Sequence, residues 1–123
     1  MPTIPYVLVI DSGQESSGIL RSAFQDAEIR LVTVPDPATA QAELMHRAFD
    51  AVLCDLSNTD FDGFGWLQSF HRSHPLIPVI GLAEATGSRS AIEAVKAGAF
   101  DFLAKPLDPA ELRRAVREAV ECS

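Results

Sequence analysis

The chain is short of cysteine, of positive charge and of long apolar runs, and each shortage removes a class of answer. Cys54 and Cys122 are its two cysteines, too few for the disulfide framework of a small secreted domain. Cys54 also lies inside an apolar run, where a thiol is usually inert. Ten basic residues against seventeen acidic ones leave a net charge of -7. That balance is a poor basis for non-specific binding to nucleic acid or to an anionic membrane, which depends on Lys and Arg neutralising phosphates. No apolar stretch approaches the roughly 20 residues of a membrane span. The opening Met1-Pro2-Thr3-Ile4-Pro5-Tyr6 lacks the basic start and apolar centre of a signal peptide. Internal repeats, low-complexity tracts and linkers are lacking too, so residues 1–123 read as one domain with no room for a second. The expectation is a soluble, cytoplasmic chain with no direct nucleic-acid partner and no membrane partner.

Apolar residues at 47% and charged residues at 22% exclude wholesale disorder. Short apolar, β-branched runs alternate with segments of helical period. Tyr6-Val7-Leu8-Val9-Ile10, Ile29 to Val34, Ala51-Val52-Leu53-Cys54, Pro78 to Ala83 and Phe100-Asp101-Phe102-Leu103 read as strands, the apolar ones covered on both faces. Between them, Ile19, Leu20, Ala23, Phe24 and Ala27 recur at helical spacing. Asp36-Pro37 caps a second helix carrying Ala38, Leu44, Met45 and Ala48. Phe64, Leu67 and Phe70 mark a third helix that stops before Pro75, and Ser90–Ala97 a fourth that ends at Gly98. Asp108-Pro109-Ala110-Glu111 starts a fifth, with Leu112, Ala115, Val116, Ala119 and Val120 as its apolar face. Five βα units predict a single α/β domain, a doubly wound parallel sheet with five helices. In such sheets ligands sit outside the carboxyl ends of the strands.

Those ends carry Asp11, Asp55, Ala83 and Lys105. Two carboxylates and a lysine at one mouth make an anionic pocket suited to a hard cation and a phosphoryl group. A carboxylate there can act as nucleophile, with Lys and metal balancing the developing charge. Tyr6 to Phe24, Phe49 to Leu56, Asp62-Gly63-Phe64, Leu76 to Ile80 and Lys105-Pro106 together resemble the receiver domain of two-component response regulators, over nearly the whole chain. The resemblance implies a flavodoxin-like sheet of strand order 2-1-3-4-5, Asp55 as the residue phosphorylated by a histidine kinase or phosphotransfer protein, and Lys105 as its phosphoryl contact. It implies Mg²⁺ as cofactor, held by Asp11, Asp55 and the backbone carbonyl of Ser57. It also implies a cis Lys105-Pro106 bond, with Ala83 and Phe102 at the two switch positions. An output domain or partner would then be met through the fourth helix, fifth strand and fifth helix, near Arg113, Arg114 and Arg117. Homodimerisation is left open.

Two departures touch the chemistry. Ser12 stands where the family usually has a second acid, so weak Mg²⁺ binding is expected. Ala83 stands where the family has a Ser or Thr hydroxyl to bond the phosphoryl group. The alternative reading is therefore a pseudo-receiver, an interaction module that works without phosphorylation. Glu84 at the rim is read as solvated, Trp66 as packing and Cys54 as core. A small metal-dependent phosphatase is the reading from another class, but Ser57 occupies the place where such enzymes carry their general acid. The receiver itself is not a turnover enzyme, because it would catalyse only its own modification.

Overall fold

The computed structural model describes residues 4–11, 15–24, 29–56, 62–84 and 88–122. β1 (Tyr6–Ile10), β2 (Arg30–Val34), β3 (Ala51–Asp55), β4 (Val79–Glu84) and β5 (Asp101–Lys105) alternate with α1 (Glu15–Ala23), α2 (Pro37–His46), α3 (Gly63–Ser73), α4 (Ser88–Ala97) and α5 (Pro109–Cys122). All strand pairs are parallel, in the order β2-β1-β3-β4-β5, as predicted.

Strand side chains alternate between faces, which sorts the apolar runs into two cores. Val7, Val9, Leu53, Ile80, Leu82 and Leu103 meet α1 and α5. Leu8, Ile10, Val52, Cys54, Val79 and Ala83 meet the opposite layer, which contains α2, α3 and α4. Every residue of β3 is buried, as the central strand of a two-sided sheet should be. On α5, Leu112, Ala115, Val116 and Ala119 are fully buried.

The cap expected at Asp36 forms, and Asp62 makes the same kind of cap on α3. Asp36 accepts from the Thr39 amide at 2.7 Å, and Asp62 from the Gly65 amide at 3.0 Å. Gly98 has φ 110°, a conformation open to glycine. A Cβ at Gly98 would fall 2.5 Å from His71 Cγ, so the α3 and α4 ends meet there.

Some boundaries differ from expectation. β5 begins at Asp101 rather than Phe100 and runs on to Lys105, because the edge strand keeps pairing, Ala83 with Ala104 and Glu84 with Lys105. α2 ends at His46 and buries Ala40, with Leu44 packed against the core one turn later. Met45, rotated off that face, is 79% exposed. α1 ends at Ala23, and Ala27 lies outside the described residues.

Candidate functional site at the carboxyl edge of the sheet

Parallel pairing brings the acids together. Ile10 pairs with Cys54, so Asp11, just past the end of β1, and Asp55, the last residue of β3, come to the same edge of the sheet. The Asp11 amide donates to the Val34 carbonyl at 2.9 Å, and the Leu56 amide to the Leu82 carbonyl at 2.7 Å. These bonds carry the ladder to the strand ends and fix the backbone beneath each carboxylate. Asp11 is 7% and Asp55 6% exposed, and these are the buried acids among the described residues. Burying an ionised carboxylate is unfavourable unless it is paired. Lys105 supplies a partner: from β5 it reaches past β4 to place Nζ 3.0 Å from Asp55 Oδ2. Its peptide bond to Pro106 is cis.

Cys54, one residue before Asp55, is held in its protonated form. Burial, reinforced by the charges of Asp55 and then Asp11, pushes its thiol up to about 12 from an ordinary value of 9.0. Between those values the unfolded chain releases a proton that the folded chain retains. Stability is therefore fully present below about pH 9 and falls above it, by about 1 kcal/mol per pH unit. Urea melts in metal-free buffer between pH 9 and 11 should show a shallower loss for Cys54→Ala than for the parent; parallel slopes would contradict this.

Other predicted positions divide. Ala83 is buried at 4% exposure on the strand between Asp55 and Lys105, with no hydroxyl to offer. Phe102 is half-buried against the second core, beside Gly81 in register. Ser12 and Ser57 lie outside the described residues, as does the Glu84 side chain. Trp66 stacks on Phe70 with centroids 4.8 Å apart, which is packing. Arg113 donates to the Ala23 carbonyl at 3.4 Å and Arg114 pairs with Glu118, so two of the three α5 arginines have partners within the domain.

Sequence reading missed Leu56. Its Cδ1 would lie 2.6 Å from a Cβ placed on Gly81, and its Cα and Cδ2 each 3.1 Å from one on Gly63. A glycine inside a buried strand signals close approach, and Gly81 carried that signal.

The donor set bears on a metal. No group of three or more His, Cys, Asp or Glu side chains that could hold an ion exists among the described residues. Two adjacent carboxylates nonetheless fit Mg²⁺, which often takes one or two carboxylates and completes its shell with water and phosphate oxygens.

A family model, the response regulator receiver domain, matches residues 7–117. The chain belongs to the response regulator receiver domain family. It is 30% identical over 114 residues to the transcriptional regulatory protein ZraR of Salmonella typhimurium, covering 93% of this chain and 26% of that protein. It is 29% identical over 114 residues to the DNA-binding transcriptional regulator NtrC of Escherichia coli, covering 93% and 24%. The chain thus spans about a quarter of the length of these curated relatives. The solved Francisella response regulator 1452 receiver domain superimposes with a TM-score of 0.84 at 25% identity, covering 95% of this chain and 97% of that one. This is not a family of turnover enzymes. No helix of the described residues is long and apolar enough to cross a membrane.

Proposed function

We propose that the pocket takes a phosphoryl group on Asp55 and that the chain passes the change to a partner or output domain. The observation that carries this reading is the 3.0 Å contact between Lys105 Nζ and the buried Asp55 carboxylate, made from two strands away. In the step, an Asp55 carboxylate oxygen bonds to phosphorus while the phosphorus–nitrogen bond of a donor phosphohistidine breaks. The electron pair leaves with the imidazole, which takes up a proton. Lys105 is placed to balance charge on the phosphoryl oxygens as they arrive. Asp11 and Asp55, with the Ser57 carbonyl, are the groups that would hold Mg²⁺, which when bound adds positive charge beside the same oxygens. Ser12 offers no carboxylate, so the affinity should be low.

Partners follow from the same reading: a histidine kinase or phosphotransfer protein on the pocket side, and an output surface on α4, β5 and α5. Ile92 and Val95, 52% and 62% exposed on α4, support that surface. By likeness to ZraR and NtrC, the output is regulation of transcription.

Incubation with acetyl phosphate and Mg²⁺ should add one phosphoryl group by intact-mass spectrometry. Lys105→Ala should slow that addition by about 10²–10³-fold, the usual effect of deleting one charge-stabilising donor. No addition from acetyl phosphate or from any phosphorylated kinase would overturn the proposal. Buried Ala83 favours one second reading, partner binding without phosphorylation; it requires an output that survives Asp55→Asn.

A further inference from the structure

Beside Asp55 the chain has an unusual seat for one side chain. Leu56 is 6% exposed, and glycines flank it on two elements. Towards α3, a Cβ on Gly63 would meet Leu56 Cα and Cδ2 at 3.1 Å and the Asp55 carbonyl oxygen at 3.4 Å. Towards β4, a Cβ on Gly81 would meet Leu56 Cδ1 at 2.6 Å and Cγ at 3.4 Å. Any larger residue at either position would have to displace the leucine or the backbone of Asp55. The space above Gly81 is shared, because its absent Cβ would also meet Phe102 Cδ2 at 3.6 Å. Leu56 and the Phe102 ring therefore converge on one point of the sheet surface.

We propose that Leu56 is a positioning residue: seated between Gly63 and Gly81, it sets the main chain at Asp55 and couples displacement there to the Phe102 ring. The inference gives a mechanical route to the reading of Asp55 as phosphoacceptor and rests on it for its biological use. The coupling itself is a property of packing. Close-packed interiors pass displacement between touching groups because they lack room to absorb it. The peptide joining Asp55 to Leu56 is held on one side by the Leu82 carbonyl, at 2.7 Å from the Leu56 amide. A shift at Asp55 therefore moves the leucine in its socket and changes the space above Gly81 that it shares with the Phe102 ring. Ala83 has no hydroxyl to provide a polar link on this side of the pocket, and the shared space over Gly81 supplies an apolar one. Phe102 stays in register opposite Gly81, between the Ile80–Asp101 and Leu82–Leu103 pairs, so its ring can respond without the strand leaving register.

The test is a mutant cycle read by ¹⁹F NMR on protein labelled with 4-fluorophenylalanine, the Phe102 signal among seven phenylalanines being assigned by Phe102→Leu. In the parent, Asp55→Asn, which removes the Lys105 ion pair, should shift the Phe102 resonance. In Leu56→Ala the same change should move it by less than half as much, and Leu56→Met should restore the response. Gly81→Ala guards against a Leu56→Ala chain that fails to fold, since its added methyl acts on the flexible end of Leu56; it too should at least halve the response. Equal responses in all backgrounds, or none in the parent, would overturn the inference. Because the cycle needs no phosphorylation, failure to incorporate a phosphoryl group would count against the proposed function alone.

Discussion

Asp55→Asn should abolish phosphoryl incorporation, the largest functional effect expected in this molecule. The amide keeps the shape of the carboxylate but has no anionic oxygen to attack phosphorus. A second acid stands beside it, so the outcome is informative. Asp11 is equally buried and occupies the end of the neighbouring strand, and a pocket that merely gathered carboxylates would let it take over. The ion pair argues otherwise, because Lys105 Nζ contacts Asp55 Oδ2 at 3.0 Å, placing the charge-balancing cation at residue 55. Mass spectrometry after acetyl phosphate and Mg²⁺ should show no adduct on Asp55→Asn and a slower but measurable adduct on Asp11→Asn. A full adduct on Asp55→Asn would assign the chemistry to another residue. Circular dichroism of the two variants should match the parent, since neither changes the buried volume.

The largest expected effect on stability lies at Leu53, in the middle of β3. Its side chain is fully buried in the core shared with α1 and α5, and neighbouring strands pair it with Val9 and Ile80. Strands on both sides and a helical layer above leave little freedom to collapse around a truncated side chain. Leu53→Ala should therefore destabilise by about 3–5 kcal/mol, lost burial and residual cavity together. For a domain of this size that lowers Tm by roughly 10–20 °C. Leu76→Ala is the control: Leu76 is 85% exposed in the α3–β4 connection and its loss should move Tm within about 2 °C. Thermal melts of both variants check the pair, and similar shifts would contradict the placement of Leu53 inside a packed core and Leu76 outside it.

Much of this was legible in the sequence, for identifiable reasons. β1 and β3 are continuous apolar runs that end in aspartate, and only a sheet covered on both sides buries such runs. Asp36-Pro37 and Asp108-Pro109 mark helix starts by the same pairing of cap and ring, and the structure bears both out, with Asp108 Oδ1 accepting from the Ala110 amide at 3.1 Å. Asp11, Asp55 and Lys105 were legible because strand ends in a parallel sheet share one edge. α2 was harder to read: alanines scattered through it gave a weak apolar face, and Ala38 and Met45 proved exposed. The end of β5 was blurred because an edge strand tolerates polar residues at its rim. Leu56 was passed over because nothing in its own type distinguishes it from core. Its setting depends on glycines at 63 and 81, one on a helix and one two strand positions before Ala83, and only folding brings them together.

The most direct test of the central claim is to locate the modification. An aspartyl phosphate reduced with borohydride becomes homoserine, so the parent, treated with acetyl phosphate and Mg²⁺ and then reduced, can be digested and sequenced by tandem mass spectrometry. Homoserine at position 55, absent from the untreated protein and strongly diminished in Lys105→Ala, is the result this account predicts. Homoserine at position 11 or elsewhere, or none in a sample whose intact mass shows the adduct, would contradict it.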